Sequence, residues 1–361
     1  MRDITIKKAK GSYIWDNDNK RYIDFTSSIF TANVGHSNKQ VLRAIRRQTR
    51  IPLLHIYGYR TDIKEQYKEA LRLYSGKEPF ICSTGSEAIE WAIHLIKLYN
   101  KKHKIKGTIY GLNGFFHGKT LGARALYSDT SVNDIKPLRV LPDDIAGLVI
   151  EAYEGWSGKF HDIPYIRQLF SITKKRGALV VFDEVQSGFG RCGMKWGHYY
   201  YGVEPDIIVC GKGMGGGITL AGVLADKSIL YLSKELSTTY GGNPISCACG
   251  LAVLKETERL DLIREAHRKG VGLHKFLNNV CSRLNIKVNG VGMMSGLVFK
   301  TKQQADKLYE YCMDNGLMVV NTGKPSIKIA PPLVISDGLL IEGLKIIKDG
   351  LCSLKSSGIL G

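Results

Sequence analysis

Continuous apolar runs that alternate with helical segments constrain the fold of this chain more than any other feature. Such runs lie between residues 79 and 225, at "PFICS", "GTIYGL", "GLVIEA", "ALVVFDE", "DIIVCG" and "LAGVLA". The segment "SEAIEWAIHLIKLYN" has its apolar residues at helical spacing, and residues 163–176 predict another helix, which Gly177 ends. Buried strands separated by helices are typical of a mostly parallel sheet that is covered on both faces. The sequence therefore predicts an α/β fold.

The two ends of the chain have a different pattern. "SYIWDNDNKRYIDF" predicts a hairpin with its turn at residues 16–20. The chain after Pro244 predicts a long helix, a weak strand at "GLVFK" and a final α+β portion. A chain of 361 residues with 44% apolar content can bury two cores. We therefore expect a large domain over residues 45–245 and a smaller α+β domain built from residues 1–44 and 246–361.

The composition limits the classes of partner. The net charge is +18, but the basic residues form only short clusters without the interleaved aromatic residues of a base-stacking surface. We therefore expect solvated surface charge and no nucleic acid. We find no apolar window long enough for a membrane span and no signal peptide in the first ten residues. The eight cysteines show neither a disulfide framework nor metal-ligand spacing, so we expect a cytoplasmic protein with reduced thiols and no metal.

The stretch "GFFHGKT" at residues 114–120 raises the possibility of a nucleotide-phosphate loop. A P-loop has the pattern GxxxxGK[ST], which would require glycine at position 113, where this chain has Asn113. Bulky side chains would also occupy a loop whose backbone amides must wrap a phosphate. A P-loop NTPase is therefore only a remote alternative.

Two charged residues follow apolar strands of the predicted sheet. Asp183 ends "ALVVFD", and Lys212 follows "DIIVCG" among glycines that let a ligand approach the backbone. A partly desolvated lysine has a lowered pKa and can act as an amine nucleophile and base. Together with a carboxylate for the pyridine nitrogen, such a lysine fits pyridoxal 5'-phosphate (PLP), which forms a Schiff base with lysine. The sequence therefore predicts PLP as the cofactor.

Other parts of a PLP site are present as well. "STGSEAIE" at residues 83–90 follows a strand and opens a helix, so its backbone amides and the helix dipole can bind a phosphate. An aromatic ring from "FFH" can stack on a pyridine ring. The phosphate that the chain is predicted to bind is therefore that of a cofactor and not that of a nucleotide.

These motifs together resemble the class III aminotransferases, the PLP enzymes of fold type I that include 4-aminobutyrate and acetylornithine aminotransferases. "VVFDEVQSGFGRCG" and "DIIVCGKGMGGG" resemble the signature of that family, and "TGSEAIE", "FHGKT", "TYGGNP" and "APPLVI" each fall in family order. The resemblance covers nearly the whole chain. It implies the fold of those enzymes, with a mostly parallel seven-stranded sheet in the large domain and a smaller α+β domain.

The resemblance also implies roles for residues around the ring of the cofactor. Lys212 matches the Schiff-base lysine, and Asp183 matches the partner of the pyridine nitrogen. Val185 and Phe116 match the residues on the two faces of the ring. Gln186 matches the hydrogen-bonding partner of the phenolic oxygen.

The phosphate end of the site is implied in the same way. Gly85 and Ser86 match the phosphate cup. Thr239 matches a residue that reaches the phosphate from the neighbouring subunit, which implies a homodimer.

The substrate side departs from the family pattern. Lys328 lies where members often have an arginine that grips a substrate carboxylate, and a lysine attracts a carboxylate only as a point charge. In "EAYEGWSG", Glu151 is kept, but Trp156 replaces the glutamate that pairs with that arginine, and Ser28 replaces a common glycine. We therefore expect Lys328 to attract a carboxylate, and Trp156 to favour a small acceptor such as pyruvate over 2-oxoglutarate.

The resemblance implies an aminotransferase that moves the ω or terminal amino group of an amino acid or diamine-type donor to an oxo acid through a Lys212 Schiff base. An aminomutase or an amino-acid epimerase of the same family is an alternative, because these enzymes use the same lysine and aspartate without net transfer. A PLP-binding protein without catalysis is another, and the retention of Lys212, Asp183 and Gln186 argues against it. The net charge of +18 would favour an acidic substrate carried by a protein.

Overall fold

The computed structural model describes residues 4–128, 132, 134–140 and 142–360, whose elements fall into three groups along the chain. The first group is β1 (Ile6–Lys10), β2 (Tyr13–Asp16), β3 (Arg21–Asp24), α1 (Ser27–Phe30), α2 (Lys39–Gln48) and α3 (Asp62–Ser75). The second group is β4 (Glu78–Cys82), α4 (Gly85–His103), β5 (Thr108–Leu112), α5 (Leu121–Ala125), β6 (Ile135–Leu138), β7 (Ile145–Glu151), α6 (Ile163–Lys175), β8 (Leu179–Asp183), β9 (Ile207–Cys210), β10 (Ala221–Ala225) and α7 (Lys227–Leu230). The third group is α8 (Pro244–Arg259), α9 (Leu262–Cys281), β11 (Lys287–Val291), β12 (Met294–Val298), α10 (Lys302–Asp314), β13 (Leu317–Met318), β14 (Val320–Asn321), β15 (Ser326–Ile329) and α11 (Asp337–Ser356). Short 3-10 turns occupy Gly197–Tyr201 and Lys212–Gly215.

A seven-stranded sheet in the order β4-β10-β9-β8-β7-β5-β6 forms the centre of the molecule. Strands β9, β8, β7, β5 and β6 run parallel, whereas β10 is antiparallel to both β9 and β4. Every residue of β7, β8, β9 and β10 is buried, which is why these strands are apolar throughout. The predicted α/β class with a mostly parallel seven-stranded sheet is confirmed.

The predicted N-terminal hairpin is formed by β2 and β3. Its turn is closed by Asp16, whose Oδ1 accepts a hydrogen bond from the backbone N–H of Lys20 at 2.9 Å. Asn19 takes the left-handed conformation that the tight turn requires, with φ of 63°. Tyr22 donates from its hydroxyl to the other carboxylate oxygen of Asp16 at 2.8 Å. The turn therefore lies where the sequence predicts it.

The N-terminal and C-terminal parts of the chain meet in one of the two smaller sheets. The order of one sheet is β1-β2-β3-β13, in which β13 from the C-terminal part runs parallel to β3, and the other is β11-β12-β15-β14. One hydrophobic cluster contains buried residues from 14–41 and 249–360, and another contains residues from 82–230. A further cluster joins residues 67–224 to Cys247 and Leu254 of α8, so α8 contacts both parts. The domain boundaries at residues 45 and 245 stay a prediction.

The state of the cysteines and the character of the helices bear on the expectations from composition. All eight cysteines are free, and only Cys352 is exposed. Among the described residues, no helix combines the length and the apolar character needed to cross a bilayer.

The short element α1 is a left-handed turn, an unusual conformation for residues other than glycine. The φ angles are 47° at Ser27, 48° at Ser28, 55° at Ile29 and 69° at Phe30. Left-handed helical geometry costs about 1–2 kcal/mol per L-residue, so surrounding contacts must hold the turn. Ser27 supplies one of them, because its hydroxyl donates to the Ala330 carbonyl at 2.7 Å.

The turn lies against the element that carries Lys212. A Cβ added to Gly213, the next residue, would lie 2.4 Å from Asn33 Nδ2 and 3.4 Å from the Phe30 carbonyl oxygen. Glycine is therefore required at this position for the two segments to pack. The strained turn consequently forms part of the wall around Lys212.

Substitution of Ser28 tests the strain directly. Ser28 is exposed, and its backbone N–H and carbonyl make its hydrogen bonds to Thr26 and Thr31. We expect Ser28→Gly to raise the free energy of unfolding by about 1 kcal/mol, because glycine adopts positive φ without steric cost. Urea unfolding, read by circular dichroism, measures the change.

Ser27→Gly is the matched control. It relieves the same strain but removes a hydroxyl that donates to Ala330 and accepts from Arg191 Nη2 at 3.2 Å. We expect this variant to be destabilised by about 1–3 kcal/mol, because it leaves buried polar groups unpaired. Equal effects of the two substitutions would contradict the strain argument.

Candidate active site

The candidate site lies at the edge of the central sheet where β7, β8 and β9 end. The parallel register places Glu151 at the end of β7 beside Asp183 at the end of β8. Asp183 is in turn paired with Val209 of β9, three residues before Lys212. Both carboxylates are buried, with 3% and 4% exposure. Two acidic groups and one amine therefore meet at the edge where parallel α/β sheets bind ligands.

Asp183 is held by two donors. Its Oδ2 lies 2.9 Å from Nδ1 of the buried His117, and its Oδ1 accepts from the backbone N–H of Val185 at 3.0 Å. Because a carboxylate only accepts, Nδ1 is the ring nitrogen that carries the proton. His117 Nε2 is buried, and no partner for it lies among the described residues. The sequence motif "FFHGKT" indicated only an aromatic segment, so this orienting role of His117 was missed.

Lys212 is the first residue of the 3-10 turn that follows β9. Its φ of 42° is left-handed, a conformation found at ligand sites when the surroundings enforce it. Burial lowers the pKa of its ammonium, and the charges of Asp183 and Glu151 partly oppose that shift. A lowered pKa increases the fraction of uncharged amine at neutral pH, which is the nucleophilic form.

The start of α4 provides free backbone donors next to this edge. Thr84 caps the helix: its Oγ1 accepts from the Glu87 N–H at 3.3 Å and its carbonyl accepts from the Ala88 N–H at 3.0 Å. The N–H groups of Gly85 and Ser86 precede these bonds, and the first turn of a helix gives them no partner within the helix. A helix N-terminus of this kind attracts an anion.

The loop before α5 packs directly on this helix start. A Cβ on Gly118 would lie 2.3 Å from Ser86 Oγ, and the backbone N–H of Lys119 donates to the same oxygen at 3.3 Å. The glycine of "FFHGKT" is therefore required for close packing. This close packing places the His117–Asp183 contact and the N-terminus of α4 in one site.

Val185 and Phe116 border the same space. A Cβ on Gly85 would lie 3.1 Å from Val185 Cγ2, so Val185 packs against the helix start. Phe116 is 42% exposed, and its backbone N–H donates to Glu151 Oε2 at 2.8 Å. An exposed ring on a fixed backbone is available to a planar ligand.

A buried polar group lies behind these residues. Gln186 donates from Nε2 to Glu151 Oε1 at 3.2 Å and accepts at Oε1 from Lys328 Nζ at 3.2 Å. Lys328 also donates to the Gly155 carbonyl. Burial and the charge of Asp183 raise the pKa of Glu151 to about 8, whereas burial and the charge of Lys212 lower the pKa of Lys328 to about 8. Lys328 is therefore an interior residue with internal acceptors.

The last two residues that the sequence singled out lie further out. Trp156 is partly buried, with Lys324 Nζ 4.9 Å from the centre of its ring and Ser326 Oγ donating to its carbonyl at 2.8 Å. Thr239 is exposed in the segment between α7 and α8, and no described contact connects it to the site. The structure brings together all the sequence-predicted residues except Thr239, with Trp156 at the margin.

Comparison with known proteins gives a consistent result. A sequence model of the family described as "Aminotransferase class-III" matches residues 1–138 and 127–351. Acetylornithine aminotransferase of Prochlorococcus marinus is 31% identical over 368 residues, covering 92% of this chain and 87% of that protein. The [LysW]-aminoadipate semialdehyde/glutamate semialdehyde transaminase of Sulfolobus acidocaldarius is 27% identical and covers 99% of this chain and 97% of its own.

Solved structures show the same fold. The ornithine aminotransferase from Toxoplasma gondii superimposes with a TM-score of 0.92, at 20% identity, over 99% of this chain and 92% of that chain. Acetylornithine aminotransferase from Elizabethkingia anophelis superimposes with a TM-score of 0.86, at 23% identity, over 98% and 94% of the two chains. The fold of both is thus the fold of this protein, and the predicted fold type is confirmed. By its sequence over nearly its whole length, the chain belongs to the class III aminotransferase family.

Proposed function

We propose that the chain is a PLP-dependent aminotransferase that moves a terminal amino group of an amino acid or diamine-type donor to an oxo acid. One observation carries the proposal. An amine whose pKa is lowered by burial, that of Lys212, lies at the same sheet edge as the buried Asp183. Such a pair is what amine exchange on PLP requires, namely a nucleophilic amine and a partner for the pyridine nitrogen.

The residues present fit the cofactor. The free N–H groups at the start of α4 suit a phosphate. Because Gly85 has no side chain, Val185 has room to pack against one face of the pyridine ring. The exposed ring of Phe116 suits the opposite face. Gln186 offers an amide for the phenolic oxygen beside Asp183, which suits the pyridine nitrogen.

The chain's own groups have distinct tasks in this reaction. PLP supplies an aldehyde that condenses with amines and a ring that withdraws electrons from the amine-bearing carbon. Lys212 presents its uncharged amine and would move a proton from the donor carbon to the amine-bearing carbon of the cofactor. Asp183 would keep the pyridine nitrogen protonated, and His117 holds the Asp183 carboxylate in place through Nδ1–H. Gly85 and Ser86 would bind the phosphate through their backbone N–H groups.

Borohydride reduction of the PLP-loaded protein tests the covalent assignment. We expect a pyridoxyl group fixed on Lys212, found by peptide mapping. A panel of amines and oxo acids with product analysis then separates amino transfer from isomerisation. A label on another lysine, or products that are isomers of the donor, would refute the assignment.

The acceptor side is proposed to be set by Trp156. Trp156, with Lys324 above its indole, directly follows Gly155, whose carbonyl accepts from Lys328. We propose that wild type prefers pyruvate over 2-oxoglutarate and that Trp156→Glu shifts this ratio. The same acceptor panel measures it, and an unchanged ratio would exclude Trp156 as a determinant of specificity.

A homodimer with shared sites is also proposed, on the basis of Thr239. This residue is exposed, and the neighbouring segment exposes Tyr231 and Tyr240 to 72% and 68%, an apolar surface that a second subunit can cover. Thr239 would then reach the phosphate in the other subunit's site. The substitution Thr239→Glu should weaken that site, because a carboxylate repels the phosphate.

Complementation between two inactive variants measures this sharing. We expect mixed dimers of Lys212→Ala and Thr239→Glu to regain up to about half of the wild-type activity, since one of the two sites has both native residues. If Thr239 acts within its own subunit, every site in the mixed dimer has a defect and no activity returns. Each variant alone is the control.

A further inference from the structure

The side-chain amide of Gln186 lies between two groups of opposite character. On one side, the Lys328 ammonium donates to Oε1 at 3.2 Å. On the other side, Nε2 donates to Glu151 Oε1 at 3.2 Å. All three side chains are buried, so water does not substitute for either contact.

This arrangement permits only one orientation of the amide. An ammonium has only donors, so Lys328 can donate to the oxygen end of Gln186 but has no hydrogen bond to make with the nitrogen end. A flipped amide would face N–H groups towards the ammonium and would lose the hydrogen bond from Lys328 in a buried site. Gly155 fits closely around the nitrogen end, because a Cβ there would lie 2.7 Å from Gln186 Nε2.

The three protons of the Lys328 ammonium already have partners. They face the Gly155 carbonyl, Gln186 Oε1 and the ring of Phe30, whose centre is 4.7 Å from Nζ. The residue is only 6% exposed. A substrate carboxylate could reach this ammonium only by displacing one of these two buried hydrogen bonds or the ring of Phe30.

We propose that Lys328 is a positioning residue that fixes the Gln186 amide with its second N–H free for the phenolic oxygen of the cofactor, and that it does not bind the substrate carboxylate. The proposal rests on the proposed PLP-dependent function. It differs from the expectation drawn from the sequence, in which Lys328 attracts that carboxylate.

Removal of Lys328 should be visible in the titration of the cofactor–lysine linkage. The charged groups that face this ammonium are Lys212 and Glu151, and Asp183 in turn faces Glu151. A positive charge and an amide donor both favour the deprotonated linkage, so their loss raises its pKa. In Lys328→Met we expect the spectral pKa of the holoenzyme to rise by about one unit, with a KM for 2-oxoglutarate unchanged within about twofold.

A double-substitution cycle isolates the route through Gln186. Gln186→Leu alone should raise the spectral pKa by a similar amount, and Lys328→Met combined with Gln186→Leu should add little to either. Lys328→Gln keeps a donor towards Gly155 and serves if Lys328→Met does not fold. It should give a smaller shift of the same sign, because it keeps a neutral donor but loses the charge.

The possible outcomes separate the two roles. A shift that is non-additive with Gln186→Leu supports positioning. An unshifted spectral pKa together with an at least tenfold higher KM for 2-oxoglutarate would overturn it and assign Lys328 to the substrate. Additive shifts would overturn the route through Gln186. A wild-type protein without any borohydride-trapped linkage would instead refute the proposed function.

Discussion

In Lys212→Ala, amino transfer is expected to fall by at least about 10²–10⁴-fold, the contribution of proton transfer by a positioned base alone. The variant also loses the amine that we propose to condense with the cofactor, so no borohydride label should remain. Single-turnover kinetics with a saturating donor measure the loss. Small primary amines added to the buffer should restore part of the rate, because they can enter the space vacated by the side chain and take up the proton.

Lys269→Ala is the matched control for this prediction. Lys269 is also a buried lysine whose pKa is lowered by burial, but it lies on α9 and donates to the Leu333 carbonyl at 3.1 Å. We expect Lys269→Ala to reduce stability and to leave the rate per folded molecule near that of wild type. A Lys212→Ala protein with near-normal turnover would disprove the assignment.

Asp183→Asn should lower turnover by orders of magnitude while keeping the fold. A neutral amide does not hold a proton on the pyridine nitrogen, and several kcal/mol of barrier correspond to a loss of this size. The amide of this variant would keep an oxygen for the Nδ1–H of His117, so the local structure has a substitute acceptor. Steady-state kinetics together with the dissociation constant for PLP separate the loss of rate from the loss of binding.

Glu184→Gln is the control for the loss of a buried carboxylate. Glu184 is adjacent to Asp183 in sequence, but its oxygens accept from His198, Ser187 and the backbone N–H of Gly197. We expect this substitution to lower stability without a comparable loss of turnover. If Asp183→Asn and Glu184→Gln lower turnover equally, Asp183 has no special role.

The central sheet could be predicted because its strands are buried on both faces. Leu179–Asp183 and Ile207–Cys210 are apolar throughout, and nothing else in a chain of this composition explains such short continuous runs. Strand β6 was not predicted. It contains Lys136 and Pro137, and a proline that cannot donate is tolerated there because β6 is an edge strand. The antiparallel direction of β10 could not be predicted either, because a buried strand is apolar whichever way it runs.

The candidate site could be predicted only in part. Lys212 and Asp183 were found because each follows an apolar strand directly, and strand ends share an edge of the sheet. The contact between His117 and Asp183 joins residues 66 positions apart, and no local pattern marks it. The left-handed turn at α1 contains no glycine, so its residue types do not indicate it. The internal bonding of Lys328 depends on the depth of β15, which is buried along its whole length.

The joining of the two chain ends has a consequence for the order of events during translation. The hairpin of β2 and β3 is synthesised early, but the β13 strand that pairs with β3 is synthesised almost 300 residues later. The hydrogen bond from Lys20 Nζ to the Met313 carbonyl, for example, joins residues 293 positions apart. At about 5–20 residues per second, this interval lasts on the order of tens of seconds. All strands of the central sheet have left the ribosome before Ala330 exists to anchor the left-handed turn beside Lys212. A nascent chain can thus complete its central scaffold while the wall around Lys212 is unfinished, since that wall depends on a residue made about a hundred positions later.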